Sequence, residues 1–110
     1  MKTTDKANYI LIENNKDPLT EFASELTRQH ANFEHANIIV DLKEYEHLEL
    51  EDLLGFLELS NTHREHKKSF VIVNNALNAD KIPEDLIIAP TLQEAEDIIQ
   101  MEEIERDLGF

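Results

Sequence analysis

Hydrophobic residues in this 110-residue chain occur in two patterns: short continuous runs, and longer segments in which they recur at helical spacing. A continuous apolar run is typical of a strand covered on both faces, because a strand with one face in water alternates apolar and polar residues. The runs are NYILIE (8–13), NIIVDL (37–42), SFVIVNN (69–75) and a shorter one at 86–89. The pattern therefore predicts four short buried strands.

Three segments have apolar residues three or four positions apart, which places them along one face of an α-helix. The first predicted helix covers 18 to about 33, and Asp17 is a candidate cap for its N-terminus. The last covers about 91–108, and Thr91 and Glu94 at its start have the spacing of a capping box. Both helices are predicted to pack their apolar faces against the sheet.

The second predicted helix runs from about residue 50 to about residue 67, after a strongly acidic turn. Its leucines recur at helical spacing and are predicted to share its buried face: Leu50, Leu53, Leu54 and Leu57. Strands that alternate with helices in this way indicate a parallel sheet with right-handed crossovers. The predicted fold class is α/β, a single domain over 1–110 with a four-stranded, mainly parallel sheet packed with amphipathic helices.

The charge balance narrows the classes of partner. The chain has 24 Asp and Glu residues against 10 Lys and Arg, so its net charge is −14. Such a surface repels a phosphate backbone and anionic lipid, and we predict no nucleic-acid partner and no membrane partner. The absence of cysteine removes disulfides and thiolate metal sites, and no apolar run is long enough for a signal peptide or a membrane span. We therefore expect a cytoplasmic protein.

Sequence motifs for catalysis are lacking. The two glycines, Gly55 and Gly109, cannot build a phosphate-binding loop, and no serine has the G-x-S-x-G context of a hydrolase nucleophile. His63 and His66 lie three positions apart and could share a metal ion, but positive side chains are also favoured at the C-terminal end of a helix. The sequence predicts no enzymatic activity, no cofactor and no metal, with a metal-dependent enzyme using His63 and His66 as an alternative.

The segments IIVDLKEYEHLELEDLLGFLEL, SFVIVN and LIIAPTLQEAEDII together resemble STAS domains, the fold of bacterial anti-sigma factor antagonists. VDL at 40–42 and PTLQEAEDII at 90–99 match best, and the resemblance covers about residues 8–99. The sequence MEEIER at 101–106 is similar to the C-terminus of a Bacteroidetes branch of that family. The resemblance implies a STAS-like domain that acts by binding another protein.

Two departures from the family pattern affect what the resemblance implies. The helix usually found between the third and fourth strands is shortened to ALNADKIPED (76–85). Counting from Asp41, Leu50 takes the place of the family's phosphorylatable serine, between Glu49 and Glu51. Since leucine has no hydroxyl to accept a phosphate, the serine switch of the family is absent here. The neighbouring acids Glu49, Glu51 and Asp52 could imitate the charged, partner-releasing state or build a different docking face, or could simply stabilise the helix N-terminus through its dipole.

These observations predict a non-catalytic protein-interaction module in bacterial regulation, similar to an anti-sigma factor antagonist but without the phosphoserine. Its partner would be a protein such as an anti-sigma-factor-like regulator. The predicted partner-binding residues are Glu46, His47, Glu49, Leu50, Glu51, Asp52 and Gly55. As an alternative, the chain is an accessory subunit that docks a basic enzyme through its last helix, in which seven acidic residues stand against Arg106 over 91–107.

Overall fold

The computed structural model describes residues 1–14, 17–76 and 82–109. Five strands and three α-helices follow one another along these residues, with a 3-10 turn between the first helix and the third strand. The elements are β1 (Lys2–Asp5), β2 (Ile10–Glu13), α1 (Leu19–Arg28), the 3-10 turn (His30–Asn32), β3 (Ile38–Asp41), α2 (Leu50–Glu65), β4 (Phe70–Val73), β5 (Ile88–Ala89) and α3 (Leu92–Asp107). The predicted α/β class is confirmed.

The strands form one mixed sheet in the order β1-β2-β3-β4-β5. The pairs β2–β3, β3–β4 and β4–β5 are parallel, whereas β1 pairs with β2 in the antiparallel direction. The prediction of a mainly parallel sheet is confirmed, but the predicted number of four strands is wrong. Strand β1, with the sequence KTTD, was missed because its side chains are polar and mostly exposed. Such a composition suits the edge of a sheet, where it discourages pairing with other chains.

Helices cover both faces of the sheet, which explains the continuous apolar runs. In β3, Ile38 and Val40 belong to the core under α1 and α2, which also contains Phe22, Leu53 and Phe56. Ile39, between them, belongs to the opposite core under α3, with Ala95 and Ile99. Successive side chains of a strand point to opposite faces, so every position of β3 is buried.

Some element boundaries differ from the predictions. Helix α1 ends at Arg28 rather than near residue 33, because the chain tightens into the 3-10 turn. Asp17 does not cap it; the cap position is Pro18, and the N–H of Asp17 donates to Oδ1 of Asn14 at 3.2 Å. Strand β5 is limited to Ile88–Ala89 instead of 86–89.

The last helix begins as predicted. The N–H of Glu94 donates to Oγ1 of Thr91 at 3.1 Å, and the helix ends at Asp107. The predicted shortening of a helix within 76–85 depends largely on residues 77–81, which lie outside the described residues. Across the described ranges, no helix combines the length and the apolarity that a membrane crossing requires.

Candidate functional site

The loop between β3 and α2 is held in place by hydrogen bonds from the sheet. Asp41, the last residue of β3, is buried, and its Oδ1 accepts from the N–H of Lys43 at 3.0 Å. Asn74 follows β4, and its Nδ2 donates to the carbonyls of Leu42 at 2.8 Å and Tyr45 at 2.9 Å. Both ends of these bonds lie at the carboxyl edge of the parallel strands. The loop that leads into α2 is therefore fixed at its start.

Helix α2 begins with a capping interaction that the sequence analysis did not identify. The N–H of Glu49, at the cap position, donates to Oδ2 of Asp52 at 2.9 Å. A carboxylate three residues into a helix that reaches back to the cap N–H satisfies a donor that the helix itself leaves free. Asp52 thus stabilises the helix start. This structural role explains an acidic residue at the position without the need for a protein partner. Glu51, in the same turn, is exposed.

The predicted burial of Leu50 and Leu54 is wrong. Leu50 is 49% exposed and Leu54 is 50% exposed, whereas Leu53 is fully buried. The buried face of α2 instead follows Leu53, Phe56, Leu59, Ser60 and His63, whose spacing of three or four residues keeps them against the sheet and α1. Because α2 has apolar residues around much of its circumference, helical spacing alone could not select the face that is buried.

The predicted site residues form one stretch of loop and helix surface. The exposed members are Glu46, His47, Glu49, Leu50, Glu51 and Gly55, and Asp52 is half-buried. At Leu50, the chain presents an apolar side chain to solvent. The surface therefore combines carboxylates with two exposed leucines, Leu50 and Leu54.

Gly55 lies where α1 and α2 approach each other. A Cβ atom built on Gly55 would be 3.3 Å from the Cβ of Ala23, a tight contact. The two helices border a groove of about 410 Å³, with Glu51, Asp52 and Gly55 on the α2 side. The α1 side supplies Thr20, Ser24, Thr27 and Arg28, which the sequence analysis did not single out. These residues lie three or four positions apart on α1 and are exposed, and this spacing is the feature of the sequence that could have indicated them.

His63 on α2 is hydrogen-bonded to His30 of the 3-10 turn, a contact that sequence spacing did not predict. Nε2 of His63 lies 2.7 Å from the carbonyl oxygen of Ala36, and Nδ1 of His63 lies 2.8 Å from Nε2 of His30. A carbonyl can only accept, so Nε2 of His63 carries the proton, and Nδ1 accepts from His30. Both nitrogens of His63 are thus used inside the protein.

Burial controls the protonation of this pair. His63 is fully buried, and the loss of hydration lowers its pKa to about 4, with further contributions from His30 and His66. Burial also lowers the pKa of His30, and the nearby His66 acts in the same direction. A second proton on His63 would place its Nδ1–H against the N–H of His30. Both rings are therefore neutral at pH 7.

The arrangement does not support the metal alternative. Nδ1 of His63, the ring nitrogen without a proton, would have to give up its hydrogen bond with His30 before it could bind a metal beside His66. Within 1–14, 17–76 and 82–109, no three His, Cys, Asp or Glu side chains are grouped so that they could hold a metal ion.

A small cleft at the carboxyl edge of the sheet was also missed. It has a volume of about 70 Å³ and is lined by Glu13, Asn14, Asp41, Lys43, Glu44 and Tyr45. Glu13 and Asp41 are opposite each other in the β2–β3 register. Two acidic residues at the ends of neighbouring strands were the feature of the sequence that could have indicated the cleft. Oδ2 of Asp41 lies 3.3 Å from Nζ of Lys43, so its charge is already paired. A cleft of this volume has room for a few water molecules at most.

The acidic last helix packs against the domain instead of projecting from it. Glu102 accepts from Arg64 at 3.2 Å, and Glu103 accepts from Nδ2 of Asn37 at 2.9 Å. Arg106 donates to Oγ of Ser69 at 3.1 Å. These contacts use two of the acids that the sequence analysis assigned to a docking surface.

The chain was compared with protein-family models and with curated proteins, and neither comparison found a match. The resemblance to STAS domains therefore stays a prediction.

Proposed function

We propose that the protein is a non-catalytic protein-interaction module that binds its partner through the loop and first turns of α2. The binding surface consists of Glu46, His47, Glu49, Leu50, Glu51, Asp52 and Gly55, together with Leu54. By its resemblance to anti-sigma factor antagonists, the module acts in bacterial regulation as a STAS-like domain, and its partner is a regulatory protein. No catalytic role is assigned to these side chains.

The exposure of Leu50 and Leu54 is the observation that supports this proposal most directly. About half of each side chain is in contact with water, at 49% and 50%. Burial of a whole leucine side chain is worth about 1.5–3 kcal/mol, so covering two half-exposed leucines would contribute to binding. The surrounding carboxylates favour a partner with basic residues at the rim of its contact surface.

Leu50 also determines how binding could be regulated. In the resembled family, phosphorylation of a serine at this position releases the partner through added negative charge. Leu50 cannot receive a phosphate, so this switch has no acceptor at the position. The module is accordingly expected to bind without a phosphorylation switch at this residue.

A capture experiment with two charge-matched variants tests the proposal. The full chain is tagged and used to capture proteins from a lysate of its native cells, with quantitative mass spectrometry as the readout. The site variant is Glu49→Lys/Glu51→Lys, which leaves the capping residue Asp52 intact. The control is Glu65→Lys/Glu84→Lys, two exposed positions outside the surface with the same change in net charge.

We expect a specific partner that the wild type and the control capture and the site variant loses. Circular dichroism would verify that both variants are folded. Retention of the same proteins by the site variant, or their loss from the control, would refute the proposed surface.

A further inference from the structure

Helix α3 presents a second surface, on its outward side. Five exposed residues lie along this side: Glu94, Asp97, Met101 and Ile104 in the helix, and Leu108 at its C-terminal cap. Their spacings are three, four, three and four residues, which is the a/d spacing of a heptad repeat. Met101 is 59% exposed, Ile104 56% and Leu108 66%, so the C-terminal half of this seam is apolar.

The fold does not require these apolar residues. The inward face of α3 is fixed by the buried Ala95 and Ile99 and by the bonds of Glu102, Glu103 and Arg106 described above. A helix held on one side by packing and polar contacts offers its other side as a rigid surface. Because α3 is already ordered, a partner could bind the seam at little cost in conformational entropy of α3.

The distribution of charge along the seam identifies the chemistry of its partner. The first two positions, Glu94 and Asp97, are carboxylates, and the next three are apolar. A second copy of α3 is a poor partner: in a parallel pair the carboxylates would meet each other, and in an antiparallel pair they would face the apolar residues. Two chains of net charge −14 also repel each other. A helix with Lys or Arg at one end of its seam and leucine-like residues along the rest complements both parts.

We propose that the outward face of α3 binds a basic amphipathic helix of another protein, side by side as in a coiled coil. The apolar residues Met101, Ile104 and Leu108 would be covered by the apolar seam of the partner. Glu94 and Asp97 would pair with its basic residues. Helix α3 and the proposed α2 surface lie on opposite faces of the sheet, so this inference is independent of the proposed function.

Synthetic peptides test the inference without knowledge of the natural partner. The probe is a fluorescent peptide of three heptads, with Lys at the two seam positions opposite the carboxylates and Leu at the other seam positions. One control peptide has the same composition in scrambled order, and another has Glu in place of Lys. Fluorescence anisotropy with the full chain measures each affinity at physiological salt.

We expect the basic amphipathic peptide to bind at least about tenfold more tightly than either control peptide, a difference of one power of ten in Kd. Ile104→Gln/Leu108→Gln and Glu94→Lys/Asp97→Lys should each weaken its binding by about tenfold. Ala31→Gln, an exposed apolar-to-polar change outside both surfaces, should leave the affinity unchanged.

Equal affinity for the scrambled peptide, or binding that survives both sets of substitutions, would overturn the inference. Analytical ultracentrifugation provides a second readout on the chain alone, and a monomer is expected. A dimer that Ile104→Gln/Leu108→Gln dissociates would show that the seam serves a second copy, and would also overturn it.

Discussion

Asp52 illustrates how one acidic residue can be explained by local structure. Its carboxylate accepts the N–H of Glu49 at the start of α2, and a helix N-terminus favours negative charge. Glu51 also carries a carboxylate and also lies in the first helical turn, but it is exposed and lies along the α1–α2 groove. The sequence could place both residues in the first helical turn. It could not distinguish them, because that distinction depends on side-chain geometry.

Replacing Asp52 should therefore destabilise the protein more than replacing Glu51. Asp52→Ala removes a capping hydrogen bond and should lower the free energy of unfolding by about 1 kcal/mol. Glu51→Ala removes only a favourable charge near the dipole and should cost about 0.5 kcal/mol or less. Urea denaturation of both variants measures the difference. Equal losses would show that the bond to Glu49 contributes no stability.

The protonation of His63 is coupled to the stability of the fold. Its pKa in the folded protein is about 4, whereas an unfolded histidine titrates near its ordinary value of 6.5. Between pH 6.5 and pH 4, the histidine is therefore protonated in the unfolded state and neutral in the folded state. The free energy of unfolding falls as the pH drops from about 6.5 to about 4. The loss for this group is about 3 kcal/mol when complete. His30, whose pKa is lowered as well, acts in the same direction.

Urea denaturation between pH 8 and pH 4 tests this pH dependence. His63→Leu should be less stable at pH 8, because Ala36 and His30 lose a hydrogen-bond partner, but its stability should fall less on acidification than that of the wild type. His35→Gln, at an exposed position, serves as the control and should follow the wild type. Parallel curves for the wild type and His63→Leu would contradict the assignment of a buried neutral ring.

Among the strands and helices, the sequence predicted those that contain continuous or periodic apolar residues. Strands β2, β3 and β4 and the three helices were predicted, because burial on both faces of the sheet leaves apolar runs and packing on one face leaves helical spacing. Strand β1 was missed because an exposed edge strand needs no apolar residues. The exposure of Leu50 and Leu54 was missed because α2 has more apolar residues than its buried face can accommodate.

The two sides of α2 should differ sharply in their contribution to stability. Leu54→Gln changes an exposed side chain and should alter the free energy of unfolding by about 0.5 kcal/mol or less. Leu53→Ala opens a cavity in the core under α1 and α2, which also contains Phe22 and Phe56, and should cost about 2–5 kcal/mol. Chemical denaturation of the two neighbouring variants gives a direct comparison. A large loss for Leu54→Gln would place that leucine in the core.

For the whole molecule, charge is the property that composition predicts most directly. A net charge of −14 on 110 residues disfavours the compact state through repulsion among carboxylates. Salt bridges such as Arg64–Glu102 relieve this repulsion locally, within the part of the chain that the structure describes. The sequence could give the total charge but not its division between internal contacts and free surface, which depends on the tertiary fold.

Added salt should therefore stabilise the protein. Raising NaCl from about 10 mM to about 500 mM shortens the screening length from about 30 Å to a few ångström, and the thermal midpoint should rise. Glu65→Lys/Glu84→Lys, two exposed positions, makes the net charge four units less negative and should reduce the rise. A midpoint that is independent of salt, or equally dependent in both proteins, would contradict a role for overall repulsion.

The exposed leucines at the start of α2 are the residues that we propose to contact a protein partner. Photo-crosslinking in the native cells tests this contact most directly, with a photoreactive amino acid at Leu54 in one strain and at Glu84, exposed and distant in sequence, in another. We expect a discrete crosslinked product from position 54 that is absent from position 84 and that disappears when Glu49→Lys/Glu51→Lys is added. No product from position 54, or the same products from both positions, would contradict the proposed contact.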